Sequence, residues 1–308
     1  MNRRDFFSQT IKASAALGLP ILNAEPNARK RIMRVAHLTD IHVKNELVSE
    51  TGMAKALASV QSLNPKADFI INGGDAIMDA LDTPKDEVKK QWATFKNIMK
   101  NENTLPVFSV IGNHDIYGWF NKTEDLRGDR LYGKAWAVEE LRIPKRYYSF
   151  ERAGWKFIFL DSAQLSPSGG YCAYLDGEQF EWLKAELTVT APTKHICIVS
   201  HIPIFSACSA LFYGKNEPNG DLLTHKNIMH TDFFKIKNLF KSFTNIRVCL
   251  SGHVHMQDEV KFLGITYLCN GAVCGNWWKG NFQDFPPAYA VVDLYDDGSF
   301  ERYFVNYA

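Results

Sequence analysis

The segment 106–115, PVFSVIGNHD, is the starting point for interpreting the whole chain. Its first six residues are mostly apolar and stop at Gly-Asn-His-Asp, which predicts a buried strand that ends in a tight, exposed turn. Within three positions, Asn113, His114 and Asp115 offer an amide oxygen, an imidazole and a carboxylate. These groups can bind a metal ion or move a proton, but they are also ordinary turn residues. Other segments are needed to distinguish a site from a simple turn.

Four more apolar runs end on polar residues of the same kinds. In chain order, the five run ends are Asp40-x-His42, Gly74-Asp75, Asn113-His114, His201 and His253-x-His255. Five of the nine histidines fall at these ends. Because ligands of open α/β sheets bind beyond the carboxyl ends of the strands, we expect these side chains to form one site.

The ligand types and their spacing indicate transition metals. Asp40 and His42 are two residues apart, as are His253 and His255, so an extended backbone would turn both members of each pair to one face. Mixed imidazole, carboxylate and amide ligands suit zinc, manganese or iron, whereas calcium prefers oxygen ligands alone. The seven candidate ligands exceed the needs of one tetrahedral ion and match two ions that share a carboxylate.

The same segments, in the same order, resemble the signature of the calcineurin-like metallophosphoesterases. Within that family the chain is most similar to exported bacterial members of the purple-acid-phosphatase and cyclic-nucleotide-phosphodiesterase type. The matching blocks are Asp40-x-His42, Gly74-Asp75, Gly112-Asn113-His114-Asp115, His201 and Gly252-His253-x-His255. The resemblance implies an α/β fold, a four-layer α/β/β/α sandwich of two mixed sheets, in a single domain over residues 32–308.

The resemblance also divides the candidate ligands into two sets joined by one carboxylate. One ion would be held by Asp40, His42 and His255, the other by Asn113, His201 and His253, and Asp75 would bridge both. The implied cofactors are therefore two divalent or trivalent transition-metal ions, with iron, manganese and zinc as the candidates.

His114 and Asp115 are implied to act in catalysis rather than in metal binding. By the resemblance, His114 contacts the phosphoryl oxygens or protonates the leaving group, and Asp115 orients the His114 ring. The family often carries an aspartate three residues after the bridging aspartate, but here Met78 occupies that position and Asp79 follows. This departure leaves the role of Asp79 open and leaves the ligands intact.

Together these features predict hydrolysis of a phosphoester, with a phosphodiester favoured. Two cations held close together would lower the pKa of a bridging water, and the resulting hydroxide would attack phosphorus while His114 acts as general acid. A phosphomonoesterase that acts on a small metabolite is the alternative within this class. A non-catalytic metal-binding scaffold is the alternative from a different class. Such a scaffold would tolerate missing ligands, whereas this chain has the full set.

Residues 1–24 predict a signal peptide of the twin-arginine type. Arg3-Arg4 precedes Phe6-Phe7, and a modest apolar stretch follows over residues 13–22. We therefore expect export by the twin-arginine machinery to the bacterial periplasm, with cleavage after Ala24. An amphipathic first helix of a cytoplasmic protein is the alternative. No later apolar run reaches the roughly 18 residues of a membrane span, so no transmembrane helix is expected in the mature chain.

The charge balance bears on the class of partner. The 308 residues are 46% hydrophobic and 22% charged, as in soluble globular proteins. Cleavage after residue 24 would remove three basic residues and one acidic residue, leaving 32 basic and 33 acidic. A nucleic-acid enzyme normally has a basic surface. We therefore expect a small-molecule phosphoester as substrate and no nucleic acid as partner.

Several other side chains have both a structural and a functional interpretation. His37 lies mid-strand and His195 at a strand start, so both are expected to be structural. His225 and His230 lie in a loop-rich stretch where substrate contact is an alternative to a structural role. The pair Trp277-Trp278 either lines the site or simply packs.

The six cysteines and the remaining segments complete the predictions. Cys197, Cys249 and Cys269 lie in apolar runs and are expected to be buried thiols, whereas Cys172, Cys208 and Cys274 are candidates for disulfides after export, with the pairing open. Weak periodicity over residues 116–147 suggests an insertion near the mouth of the site. The other predicted elements are helices over 50–63, 84–100 and 232–242 and antiparallel strands near 259–270 and 288–305.

Overall fold

The structure is a computed structural model that describes residues 29–122, 125–167 and 170–308. The predicted signal peptide, residues 1–24, lies outside the described residues. Residues Arg31–Ala308 form one compact unit. Within the described residues, no helix combines the length and the apolar character that crossing a membrane requires.

The described chain alternates short strands with helices. The strands are β1 Arg31–Leu38, β2 Phe69–Asn72, β3 Val107–Ser109, β4 Tyr148–Arg152, β5 Trp155–Leu160, β6 Ala163–Leu165, β7 Tyr171–Ala173, β8 His195–Ser200, β9 Lys215–Asn216, β10 Leu222–Leu223, β11 Ile246–Ser251, β12 Gln257–Phe262, β13 Ile265–Asn270, β14 Tyr289–Tyr295 and β15 Phe300–Val305. The α-helices are α1 Leu47–Gln61, α2 Lys85–Glu102, α3 Ala135–Glu140, α4 Gly177–Val189, α5 Ala207–Tyr213 and α6 Phe233–Phe240.

One sheet has five strands in the order β15-β14-β1-β2-β3. Strands β1, β2 and β3 run parallel, while β14 pairs antiparallel with β1 and β15 with β14. Every residue of β2 is buried, which is expected of a parallel strand that is covered on both faces. The β14–β15 pair confirms the antiparallel strands predicted over 288–305.

The second sheet has six strands in the order β12-β13-β11-β8-β5-β4. Strands β5, β8, β11 and β13 run parallel, and β4 and β12 pair antiparallel at the two edges. The predicted antiparallel pair near 259–270 is the β12–β13 hairpin, which turns at Leu263-Gly264 with φ values of 50° and 81°. Positive φ at both central residues is typical of a type I′ turn, whose twist matches that of the flanking strands.

The two sheets pack face to face through side chains that alternate along β5. Phe157 and Phe159 belong to the core between the sheets, whereas Ile158 and Leu160 belong to a second core on the opposite face. Between the sheets, the Phe157 ring meets the Phe69 ring of β2 edge-on, with centroids 5.3 Å apart. This alternation is the period of two that a strand imposes on its side chains.

Helices cover the outer faces of both sheets. Helices α1 and α2 connect the parallel strands of the first sheet and bury Met53 and Trp92 in its core. Helices α4 and α6 bury Leu183 and Phe240 against the outer face of the second sheet. The result is the predicted α/β/β/α sandwich of two mixed sheets, so the fold class is confirmed.

The predicted helices are found with small shifts of their ends. Observed α1, α2 and α6 correspond to the predictions over 50–63, 84–100 and 232–242. Pro84 immediately precedes α2, and Asp86 and Glu87 in its first turn favour the positive end of the helix dipole. In the predicted insertion over residues 116–147, the helices found among the described residues are α3 and a short 3-10 helix, Leu126–Gly128.

Candidate metal centre

Seven side chains from five loops meet beyond the carboxyl ends of the parallel strands. The loops after β1, β2 and β3 supply Asp40, His42, Asp75 and Asn113, and the loops after β8 and β11 supply His201, His253 and His255. The backbone N–H of His253 donates to both carboxylate oxygens of Asp40, at 2.9 and 3.0 Å. The loops of the two sheets are therefore joined directly, and all seven predicted ligands come together.

Asp75 lies at the middle of the cluster. Its Oδ2 is 3.5 Å from His42 Nε2 and 3.2 Å from His201 Nε2. Burial opposes ionisation of Asp75, but His201 and His114 outweigh it and hold the pKa of this carboxyl well below its usual range. Burial likewise opposes the charged form of His201, yet Asp75 raises the pKa of His201 to about 9. The middle of the site therefore strongly favours a positive charge.

Two groups of ligand atoms lie on either side of Asp75. On one side, His42 Nε2 is 3.2 Å from His255 Nε2, which is 3.4 Å from Asp40 Oδ1. On the other side, His201 Nε2 is 3.2 Å from Asn113 Oδ1. The ligand atoms of Asp75, His201 and His253 lie within 4.8 Å of one another. The groups match the two sets implied by the resemblance.

Each histidine of the cluster has one ring nitrogen next to a backbone carbonyl. The contacts are His42 Nδ1 with Met78 O at 3.4 Å, His201 Nδ1 with Gly73 O at 2.8 Å, His253 Nε2 with Asn227 O at 2.9 Å and His255 Nδ1 with Gly275 O at 2.6 Å. A ring nitrogen that faces a carbonyl must donate its proton to it. In the neutral ring the other nitrogen then keeps its lone pair, which is the arrangement of metal-ligating histidines.

The Nε2 atoms of His42 and His255 face each other. They lie 3.2 Å apart, which is hydrogen-bond distance, so a proton on one ring can be donated to the other. When both rings are neutral with their protons on the carbonyl side, the two Nε2 atoms offer lone pairs to a cation instead. The donor set of buried imidazoles, carboxylates and one amide therefore fits transition-metal ions well.

The backbone that presents the ligands is not extended, so the predicted reason for the paired spacing is wrong. Five ligands have positive φ: Asp40 54°, His42 48°, Asp75 52°, His253 71° and His255 56°. This left-handed region is sparsely populated outside glycine and is a typical feature of functional sites. The two residues of each pair reach the site because the chain coils tightly after the strand ends.

Glycines allow the loops to approach the ligands closely. A Cβ built on Gly252 would lie 2.0 Å from Thr39 Oγ1 and 2.2 Å from Asp40 Oδ2. A Cβ on Gly112 would lie 2.0 Å from the backbone nitrogen of Asp75. Glycine is therefore required at both positions by space rather than by φ.

His114 lies at the edge of the cluster and is held by Asp75 and Asp79. Its backbone N–H donates to Asp75 Oδ1 at 2.7 Å, and its Nδ1 lies 2.9 Å from Asp79 Oδ1. Its side chain is 29% exposed, so it can meet a substrate. Burial opposes protonation of His114, but Asp75 and Asp79 outweigh burial and raise its pKa.

Asp115 does not orient His114, so this expectation is corrected. The Asp115 carboxylate accepts the backbone N–H groups of Gly112 at 2.8 Å, Ala76 at 2.9 Å and Ile77 at 3.3 Å. Burial and the nearby Asp75 raise the pKa of Asp115 to about 7, and its backbone hydrogen bonds oppose that shift. Asp115 thus connects the loop after β3 to the loop after β2. Asp79 contacts the His114 ring instead and takes the orienting role that was predicted for Asp115.

In this chain the aspartate that contacts His114 lies four residues after Asp75 rather than three. Met78, at the third position, contributes its backbone oxygen to His42. Asp79 is then fixed by Thr83 Oγ1, which donates to Asp79 Oδ2 at 2.9 Å, and by the Gln91 side chain, which accepts the Asp79 N–H at 3.0 Å. In the sequence, the signal for this partner of His114 was an aspartate four residues after Asp75.

The remaining histidines occupy structural positions. His37 is buried with Nδ1 2.8 Å from Asn270 Nδ2, and His195 Nε2 lies 3.1 Å from Asp296 O. His230 is buried between Ser200 Oγ, at 3.3 Å, and Asp232 Oδ1, at 3.0 Å. It therefore supports the β8 end rather than facing a substrate, whereas His225 is exposed.

Three further residues contact the ligands, and of these only Trp278 had lining the site among its sequence interpretations. The carbonyl of Asn227 holds His253, the indole N–H of Trp278 donates to His42 O at 2.9 Å, and Cys274 Sγ lies 3.8 Å from His255 Nδ1. All six cysteines are free thiols, so the candidate disulfides among Cys172, Cys208 and Cys274 are not formed. The sequence does not indicate which backbone carbonyls or loop residues will contact the ligand histidines.

Comparisons with known proteins identify the family of the chain. A family model described as calcineurin-like phosphoesterase matches residues 33–257. The 3′,5′-cyclic adenosine monophosphate phosphodiesterase CpdA of Haemophilus influenzae is 24% identical, with 88% of this chain and 89% of that protein covered. A 3′,5′-cyclic-nucleotide phosphodiesterase of Nostoc is 22% identical over 86% and 89%. The human serine/threonine-protein phosphatase CPPED1 is 26% identical over 71% of this chain and 63% of that protein.

Solved structures share the fold. A dimetal phosphatase from Danio rerio superposes with a TM-score of 0.63 at 14% identity and covers 91% of this chain and all of that chain. A purple acid phosphatase from yellow lupin superposes with a TM-score of 0.58 at 15% identity, covering 89% and 51%. The relatives are hydrolases of phosphoesters, so the chain is a metal-dependent phosphoric ester hydrolase, as predicted. It belongs to the calcineurin-like phosphoesterase family.

Proposed function

We propose that this chain hydrolyses a phosphodiester at a centre of two transition-metal ions, with His114 as the general acid. The observation that carries the proposal is the position of Asp75, whose Oδ2 lies near both His42 Nε2 and His201 Nε2. A carboxylate between imidazoles of two ligand groups is placed to bridge two cations. Such ions, when bound, activate water and polarise the phosphoryl oxygens.

The ligands are assigned by the groups in which they lie. One ion would be held by Asp40, His42 and His255, the other by Asn113, His201 and His253, and both by Asp75. Iron, manganese and zinc all suit this mixed donor set. The left-handed backbone at Asp40 and His42 sets the direction in which these side chains leave the chain.

His114 is assigned as the proton donor on geometric grounds. Asp79 occupies its Nδ1 side, so Nε2 is the nitrogen that is free to protonate the departing oxygen of the ester. The hydrogen bond from the His114 N–H to Asp75 Oδ1 fixes the backbone of the acid to the bridging carboxylate. General acids of this kind contribute about 10²- to 10⁴-fold in rate.

Two observations favour a small phosphodiester. The two bacterial relatives that are matched over 89% of their length are named as cyclic-nucleotide phosphodiesterases. The near-neutral charge of the chain supports a small molecule rather than a nucleic acid. A phosphomonoesterase is the second candidate, because the human relative is named as a protein phosphatase.

A substrate panel with elemental analysis tests the proposal. Purified protein should contain transition metal and should hydrolyse bis-p-nitrophenyl phosphate with a higher kcat/KM than p-nitrophenyl phosphate. The reverse preference would establish the monoesterase instead. Hydrolysis of neither ester with added manganese, zinc or iron would leave the non-catalytic scaffold as the better description.

Variants separate the acid from the ligands. His114→Ala should retain the metal content but lose about 10²- to 10⁴-fold in kcat, whereas Asp75→Asn should lower metal occupancy. His195→Ala, at the far end of strand β8, is the matched histidine control and should keep both. Loss of metal from His114→Ala would contradict its assignment as a non-ligand.

We also propose that residues 1–24 direct export to the periplasm through the twin-arginine machinery. The support is the order Arg3-Arg4, Phe6-Phe7 and an apolar stretch. Fractionated cells should contain a shortened protein in the periplasm, and replacing both arginines by lysine should retain it in the cytoplasm. An intact N-terminus in cytoplasmic protein would refute the proposal.

A further inference from the structure

The loop after β13 brings two consecutive tryptophans to the metal centre in a costly backbone conformation. Trp277 and Trp278 have φ values of 46° and 67°, which bulky residues rarely adopt. The Asn276 N–H donates to Gly280 O and the Trp278 N–H to Cys274 O, both at 2.9 Å, and these bonds close the turn. Strain of this kind persists where the surroundings enforce it, and it marks functional sites.

Trp278 explains how the loop is held. Its indole N–H donates to His42 O at 2.9 Å. Its ring lies so close to Gly52 that a Cβ there would be 2.0 Å from Trp278 Cζ3. Trp278 therefore anchors the loop to α1 and to a ligand loop, which is a structural role.

Trp277 has no such anchoring role. Its ring centroid lies 4.5 Å from that of His255, 5.9 Å from His42 and 5.8 Å from Phe282. The residue is half-buried. Among the described residues, no hydrogen bond is formed by its indole N–H. Trp277 is thus a partly exposed residue whose ring lies beside two metal-ligand candidates.

The position of Trp277 relates it to the reacting end of a substrate. The His42 ring neighbours both Trp277 and His114, with ring centroids 5.9 and 4.9 Å away. A group on the surface of Trp277 would therefore lie near a ligand candidate that also contacts the proposed acid. An indole surface binds planar rings by stacking, with little dependence on their polar groups.

We propose that Trp277 is the stacking surface that selects phosphoesters carrying a planar aromatic ring, such as a nucleobase or an aryl group, close to the phosphorus. The inference rests on the proposed function, because it assumes that the phosphoryl group binds at the metal centre. Shielding of His42 and His255 from water is the competing role for Trp277. That role would affect metal affinity but would not distinguish ligands by their rings.

Direct binding of two phosphonates tests the inference. Phenylphosphonate and methylphosphonate share a headgroup and differ in the ring, and neither is hydrolysed. Calorimetry on manganese-loaded protein should show roughly 5- to 150-fold tighter binding of phenylphosphonate, the factor that stacking on an aromatic side chain provides. Trp277→Leu should reduce this ratio to near one, and Trp277→Phe should restore part of it.

Control variants keep the result interpretable. Trp182→Leu, a half-buried tryptophan of α4 that packs on Tyr147, should leave the ratio unchanged. Metal content and melting temperature are measured for each variant, and Trp277→Phe serves if Trp277→Leu does not fold. An unchanged phenyl-to-methyl ratio in both Trp277 variants overturns the inference while the phosphoesterase proposal stands. Failure of both phosphonates to bind the wild-type protein refutes the proposed function itself.

Discussion

Replacing Gly112 by alanine should disrupt the metal centre without changing any ligand. A Cβ at this position would lie 2.0 Å from Asp75 N and 2.1 Å from Asp75 Oδ1. Ordinary van der Waals contact begins near 3.4 Å, so the two loops must separate by roughly 1.4 Å in a densely packed interior. The clash is with backbone, which cannot rotate away as a side chain can.

The size of that movement sets the expected effect. Metal–ligand distances tolerate shifts of only about 0.2 Å, and the bridging position of Asp75 depends on its distances to His42 and His201. We expect metal affinity to fall at least as far as the roughly 10- to 100-fold loss that follows loss of a ligand's supporting contact. Overpacking should cost about 1–3 kcal/mol of folding stability, or about 2–4 °C in Tm per kcal/mol.

The assay pairs metal titration with thermal unfolding. Gly177→Ala is the matched control because a Cβ at Gly177 meets nothing within 4 Å and the residue begins helix α4. That change should be neutral or stabilise by about 0.4–1 kcal/mol. Wild-type metal affinity together with wild-type Tm in Gly112→Ala would show that the close approach of the two loops is not a constraint.

Three further predictions follow from the contacts. Asp79→Asn should lower kcat about 10- to 100-fold with metal retained, since part of the 10²- to 10⁴-fold effect of the acid depends on its orientation. Asp115→Asn should instead mainly lower the free energy of unfolding in urea, by about 1–3 kcal/mol. The opposite pattern would restore Asp115 as the orienting residue. Asp293→Asn breaks the buried pair with Arg34, whose bonds are both 2.7 Å, and should cost about 3–5 kcal/mol at pH 7. Burial raises the pKa of Asp293 and Arg34 lowers it, with a net lowering. The difference in free energy of unfolding between Asp293→Asn and the wild type should therefore persist at pH values above the ordinary pKa of 3.8. It should narrow as the pH falls below that value. Chelation should lower Tm, and resupply of metal at 100 times its Kd should restore about 2.7 kcal/mol; an unchanged Tm would show that no ion is bound.

Much of the fold follows from patterns that are local in sequence. The apolar runs and their breaks locate the parallel strands, because a strand buried on both faces needs a continuous apolar run. Strand β5 shows why this works, since Phe157 and Ile158 are both apolar yet enter different cores. The packing of two mixed sheets between helices is not local, and it was implied by the resemblance rather than by any run of residues. The order of the strands in each sheet was not predicted.

A ligand could be predicted from sequence where a metal-binding residue type follows the end of a strand. All seven candidate ligands meet that condition, and the structure brings their side chains together. The orienting residue does not meet that condition, because the sequence favoured Asp115, the neighbour of His114, and left the role of Asp79 open. Only the fold shows that Asp115 is taken up by three backbone N–H groups. Asn227 contributes a backbone carbonyl, which any residue could supply.

The left-handed backbone at the ligands connects stability to metal binding. Asp40, His42, Asp75, His253 and His255 all have positive φ, and each strained residue costs of order 1–3 kcal/mol. The same loops bury the carboxylates of Asp40 and Asp75 together, and burying charge costs free energy unless opposite charge lies nearby. Hydrogen bonds such as those of Asp115 and the Asp40 contact with His253 N–H oppose these costs. A bound cation would offset them further, so the geometry that strains the fold also favours metal binding.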